Sequence, residues 1–140
     1  MAVFTYNVRS LDADIRRLLT EYKGIRHTAM VKVADFLREE AQYRCPFDKG
    51  NLHGDITGRT ETYLKSESAI VYVPVNAPSA QYAIPMHEHT YNLGKESLAH
   101  PAKTHRVVGP GYLTRAITEN TDAINDRIID TLATEMEKMV

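Results

Sequence analysis

The chain has 140 residues, 17 basic and 18 acidic, for a formal net charge of -1, so no global electrostatic pull draws it to nucleic acid or anionic lipid. It is 43% hydrophobic and 25% charged, an ordinary globular composition, and its length suits a single domain over residues 1–140. One cysteine, Cys45, excludes an intramolecular disulfide. No apolar run approaches the ~20 residues of a membrane span. Residues 1–6 lack the basic region and cleavage site of a secretory signal, so folding in a cytoplasm with no membrane partner is expected.

Residues 3–8 alternate weakly and suit a short strand or an extended arm. Ser10 is a fair N-cap, with Asp12 and Asp14 in the first turn, where the helix dipole favours acid. Leu11, Ile15, Leu18, Tyr22, Ile25, Ala29, Val33, Phe36 and Ala41 then recur mostly every three or four residues. That spacing predicts one amphipathic helix reaching about Arg44. Gly24 interrupts it at a cost of about 1 kcal/mol relative to alanine. The stripe keeps its phase across the glycine, so a kink is expected over a split.

Pro46 and the Asp48-Lys49-Gly50 triplet stop the helix, since proline lacks a donor and glycine reaches dihedrals that other residues avoid. Leu52 and Ile56 then lead into a threonine-rich alternating strand over residues 56–64. Residues 65–68 read as a polar turn. Residues 69–75 read as a second strand, with Pro74 at a sheet edge or end, and the two strands pair as an antiparallel hairpin. Residues 82–88 suit a third strand or an extended approach to one.

Residues 90–106 show neither helical nor strand periodicity and read as a long polar loop, of a length that is usually functional or disordered. A short edge strand over residues 106–108 is broken by Gly109-Pro110-Gly111. A closing helix then carries Leu113, Ile117, Ile124, Ile128, Leu132 and Met136 on one stripe. The sum is an α+β fold, with a long N-terminal helix and a C-terminal helix packed on one face of a small antiparallel β-sheet. The other sheet face is either covered by a neighbouring subunit or only half apolar.

Candidate chemistry is sparse. In a strand, His87 and His89 would share one face and could begin a zinc site, to which His100 or His105 could add a third ligand. Their spacing matches no metal-binding pattern, so no metal or cofactor is expected. Cys45 reads as a reduced, half-buried thiol at a helix end, with no sequence pattern supplying an activating base. Asp48, Asp55, Glu61 and Glu88 are scattered, and Asp48 suits a turn beside Gly50 better than acid–base work. Gly50, Gly54 and Gly58 do not follow a strand and open a helix, as a phosphate cradle requires. Arg16, Arg17, Lys23 and Arg26 are offset by Asp12, Asp14 and Glu21. No catalytic residue emerges, and no enzyme is expected.

The motifs fall in a particular order. Ala41 is followed by Pro46-x-Asp48-x-Gly50-x-Leu52, then by a hairpin, then by Tyr82-Ala83 with His87-Glu88, and finally by Gly111-Tyr112-Leu113-x-x-Ala116. Across residues 30–125 this order resembles the tail-completion, or head–tail joining, family of tailed bacteriophages, also described as minor capsid or tail-component proteins. Departures are Lys49, His53, Asp55, Thr90 and Tyr112, where the family usually has threonine, a basic residue, serine, glycine and phenylalanine.

The resemblance implies a structural protein of the virion neck, assembled in the host cytoplasm and working without catalysis. It would form a homo-oligomeric ring, a hexamer or dodecamer, between the portal or connector and the tail proteins. DNA would pass through without specific binding, which near-neutral charge suits because phosphate neutralisation otherwise gives non-specific affinity. Tyr63, Tyr72, His87, Glu88, His89, Tyr91 and Lys95 are the expected subunit or partner contacts. Pro46, Asp48, Gly50, Leu52, Tyr82, Ala83, Gly111, Tyr112 and Leu113 are expected to serve the fold. The alternatives are a tail terminator capping the tail tube and a binding module outside virions.

Overall fold

A long apolar stripe does form a single rod. In the computed structural model, which describes residues 8–46, 50–89, 93 and 107–139, helix α1 runs unbroken over Val8–Arg44, 37 residues or about 55 Å. It begins two residues before Ser10, which therefore lies inside the first turn and is not the cap. Gly24 leaves the helix intact, and an added Cβ there would meet nothing within 4 Å. The last turn closes with Cys45 N–H donating to the Ala41 carbonyl at 3.0 Å, and Pro46 ends it.

The chain does not pass straight into a strand. Gly50 adopts φ 84°, a left-handed conformation that favours glycine, and starts the short helix α2 (Asn51–Asp55). That extra turn delivers Leu52 into the core, 4% exposed. The roles foreseen for Asp48 and Lys49 lie outside the described residues, as do residues 3–7 and all but one residue of the 90–106 loop.

Strands β1 (Thr57–Thr62) and β2 (Glu67–Tyr72) form the antiparallel hairpin, paired from Thr57↔Tyr72 to Thr62↔Glu67. The turn is shifted from its expected place, because Tyr63 N–H reaches the Ser66 carbonyl at 2.8 Å and releases Glu67 and Ser68 into the strand. Period-two alternation puts Gly58, Thr60 and Thr62 on the same face as Val71, Ala69 and Glu67. This is the face laid on α1: a Cβ on Gly58 would sit 2.4 Å from the Ala34 carbonyl oxygen. Glu67, its side chain fully buried, pairs with His27 and approaches Arg26 at 3.8 Å.

The opposite face closes on itself. Arg59 pairs with Glu61 at 2.7 Å and lies 5.1 Å from the Tyr72 ring centroid, while Tyr63 donates its hydroxyl to Glu61 at 2.5 Å. Of the two expectations for this face, the half-apolar one holds. It does not by itself require a covering subunit.

Residues 80–88 correct the sequence reading. They form helix α3 (Ala80–Glu88), not a third strand, and the sheet has two strands among the described residues. The Ser79 carbonyl accepts from Tyr82 and Ala83 N–H at 3.1 and 3.0 Å. Asp55 at the end of α2 accepts the Ser79 N–H at 3.0 Å. Pro85 forfeits one bond inside the helix without breaking it, because Tyr82, Ala83 and Met86 pack on the core at helical spacing.

Residues 107 and 108 are irregular, so no edge strand forms there. The closing helix is two helices, α4 (Tyr112–Thr118) and α5 (Thr121–Glu137). Asn120 bends the chain: its side-chain amide donates to the Ala116 carbonyl at 2.8 Å, competing with the helical ladder. The α+β architecture therefore stands, with α1 as the shared scaffold for the hairpin and for α4 and α5. Arg127 of α5 lies 4.1 Å from the Phe36 ring centroid of α1. No described helix is long and apolar enough to cross a membrane.

Candidate functional site

The motifs singled out in the sequence meet in one place. Ala41 and Cys45 from the end of α1, Leu52 of α2, Ile56, Ala83 of α3, and Tyr112 and Ala116 of α4 form a single buried cluster, with Tyr82 and Leu113 packed against it. Tyr112 is fully buried, and its hydroxyl donates to the Ala83 carbonyl at 2.7 Å. Gly111 N–H donates to the His87 carbonyl at 2.7 Å, and Gly109 N–H to the Arg44 carbonyl at 2.9 Å. Both glycines have positive φ, 71° and 140°, which lets the chain turn sharply enough to bring Tyr112 under α3. These residues knot four segments together.

Cys45 sits in this knot with no exposed surface, where a half-buried thiol was expected. Packing by Leu52, Ile56 and Tyr112 encloses it, and burial pushes the thiol pKa up to about 12. It stays protonated at neutral pH and is no nucleophile.

A polar clamp lies beside the knot. Arg44, nearly buried, pairs with Glu40 at 2.6 Å and with Glu119 at 2.9 Å. Arg115 reaches the same Glu119 at 3.4 Å and donates to the carbonyls of Val107, Pro110 and Gly109. Burial alone raises the Glu119 carboxyl, but the hydrogen bond and charge of Arg44, joined by Arg115, outweigh it and hold the pKa below the usual range. The clamp fastens residues 107–111 and the α4–α5 bend to the end of α1.

The outer side of the knot opens into a groove of about 380 Å³ between the end of β2, α3 and the start of α4. Val71, Val73, Ala83, Tyr112 and Leu113 contribute to its lining, together with Val75 and Ile84, which are 96% and 71% exposed. Its polar wall is short. His87 stands edge-on to Tyr112 with ring centroids 5.1 Å apart. Its Nε2 accepts the Thr114 N–H at 3.3 Å, so the Nδ1 proton donates to Glu88 at 2.8 Å. Both ring nitrogens are thereby engaged.

Three of the expected contact residues, Tyr72, His87 and Glu88, line this groove. His89 is exposed at the end of α3, its backbone N–H closing the last turn on Pro85. Because residues 80–88 are helical, His87 and His89 do not share a strand face. Tyr63 is separate, at the hairpin tip beside the largely exposed Leu64. Tyr91, Lys95, His100 and His105 lie outside the described residues. Among those described, no three His, Cys, Asp or Glu side chains gather as a metal site would need.

The exposed Val75 and Ile84 went unnoticed in the sequence. Ile84 belongs to a segment that reads as a strand or extended approach, whereas it lies on a helix with Ala83 turned inward. As chemistry, the groove offers apolar adhesion with one carboxylate nearby. No family model matches the chain, and no curated protein or solved structure gives a significant match.

Proposed function

We propose that this chain is a structural component of a phage neck, joining head to tail as a homo-oligomeric ring through which DNA passes. The observation that carries the reading is the groove. Val75 and Ile84, almost bare to water, flank an apolar trench lined by Tyr72, His87 and Glu88. Exposed apolar side chains at the mouth of a groove support its use in protein association. The motifs that carry the family resemblance support the reading further, since they converge on the core directly beneath the groove and hold its walls in place. A formal net charge of -1 suits a channel that DNA must traverse without adhering.

Electron microscopy of the protein with portal and tail proteins tests this proposal. Closed rings seated at the head–tail junction are expected. Cross-links to portal-side rather than tube-side proteins distinguish head–tail joining from capping of the tail tube. A chain absent from purified infectious particles sinks both.

A further inference from the structure

We propose that β1 is a docking edge for a second copy of this chain, the two β1 strands pairing antiparallel about Thr60 to make one four-stranded sheet. The contact goes beyond the proposed ring and does not depend on it.

A two-stranded sheet has two open edges, and backbone geometry sets what each presents. At the hairpin tip Tyr63 N–H donates to the Ser66 carbonyl at 2.8 Å. Antiparallel pairs alternate between hydrogen-bonded and non-hydrogen-bonded. Thr57, Arg59 and Glu61 therefore turn their N–H and C=O groups toward β2, while Gly58, Thr60 and Thr62 turn theirs outward. Those outward groups meet no partner among the described residues. The strand pairs with β2 without a bulge and contains no proline or lysine, so it lacks the usual devices that blunt an edge. β2 is the poorer template. Pro74 follows it closely, Glu67 points a charge inward, and its end is flanked by α3 and α4.

Charge commits the β1 edge to its own copy. An antiparallel pair centred on Thr60 aligns the outward groups of Gly58 in each copy with those of Thr62 in the other, so the ladder bonds at every outward position. The same register sets Arg59 of each copy opposite Glu61 of the other, in non-hydrogen-bonded pairs where side chains approach most closely. Both side chains lie on the open face, 49% and 32% exposed, and already pair along their own strand at 2.7 Å. Across the two-fold axis the four form one cluster of alternating sign. Sliding the pairing to the next bonded register, in either direction, sets Arg59 against Arg59 or Glu61 against Glu61, so charge selects this alignment. β2 offers no such match, because its open face carries Ser68, Ile70 and Tyr72.

The opposite face accommodates the pair. α1 lies across both strands there, and the two hairpin midlines in the joined sheet stand about 9.6 Å apart, within the roughly 8–10 Å at which helix axes pack. A contact of this kind is isologous, the same patch being used by both copies.

The test measures the full-length chain by analytical ultracentrifugation and by residue-resolved amide exchange. The wild type should form concentration-dependent dimers in which the Thr60 and Thr62 amides gain protection over the monomer. Arg59→Glu sets acid against acid and Glu61→Arg sets base against base, so each variant alone should dimerise at least about tenfold more weakly. Both side chains lie on the open face, so thermal unfolding should show a folded core in each. Mixed in equal amounts, the two variants should pair with each other at close to wild-type strength, because every cross-strand pair is again opposite in sign.

Single reversals that dimerise like the wild type overturn the inference, as does a mixture that pairs no better than its components. A wild-type chain that is monomeric at its highest soluble concentration overturns it too, and leaves standing a ring that forms only with portal and tail proteins. Rings in which the Thr60 amide stays unprotected discard this edge and keep the ring. Dimers that obey the charge rule but never close into rings with those proteins keep the edge and tell against the ring.

Discussion

Gly58→Ala isolates the seam between the hairpin and α1. A Cβ at this position would lie 2.4 Å from the Ala34 carbonyl oxygen, 3.0 Å from its carbon and 3.4 Å from Arg38 Cβ. The obstacle is helix backbone in the middle of α1, so no side chain can rotate away. The hairpin must retreat by about 0.8 Å, loosening Val71 and the buried Glu67 contacts at the same interface, and overpacking of this kind costs about 1–3 kcal/mol. For a chain of this length the midpoint of thermal unfolding should fall by about 3–10 °C.

Gly24→Ala supplies the control. It adds the same methyl group where nothing lies within 4 Å and should stabilise by up to about 1 kcal/mol through helix propensity. Urea denaturation of both variants checks the pair. A Gly58→Ala protein as stable as the wild type would show that the hairpin does not lie on α1 as described.

Other expectations follow from the knot and the clamp. Tyr112→Phe removes the hydroxyl that meets the Ala83 carbonyl and should lower stability by about 1–2 kcal/mol, read by urea titration; an unchanged midpoint would deny that bond any weight. The Cys45 thiol should resist a thiol reagent until the chain unfolds. Since its folded pKa, about 12, lies above the ordinary 9.0, its contribution is present below pH 9 and is lost as pH rises from there toward 12. The alkaline slope from this group is at most about 1.4 kcal/mol per pH unit, and Cys45→Ala should flatten it. Glu119 acts with the opposite sign: its lowered pKa means its contribution is present above about pH 4.5 and fades as pH falls further. Glu119→Gln should therefore reduce acid sensitivity, modestly because the group is part-exposed.

Much of the scaffold was legible along the chain because its signals are local. The stripe from Ala29 to Ala41 announces the buried side of α1, and alternation around Thr60 and Ile70 announces the hairpin. The helix at residues 80–88 was not legible. Its apolar run is short, Pro85 argues against a helix, and the Asp55 carboxylate that meets its first turn comes from another element. Asn120 splits the closing helix through a side-chain bond that the stripe of Ile117 and Ile124 conceals. His87, Glu88 and Tyr72 line one groove, a convergence of hairpin and helix that their separation in sequence conceals. Val75 and Ile84 escaped because exposure is a property of packing that neither residue's neighbours in sequence can report.

The most direct test of the proposed role is the mass of the assembled species, measured by native mass spectrometry on the full-length chain alone and with portal and tail proteins. The account predicts one closed species on the order of six or twelve copies. A chain that remains a monomer in every mixture would contradict it.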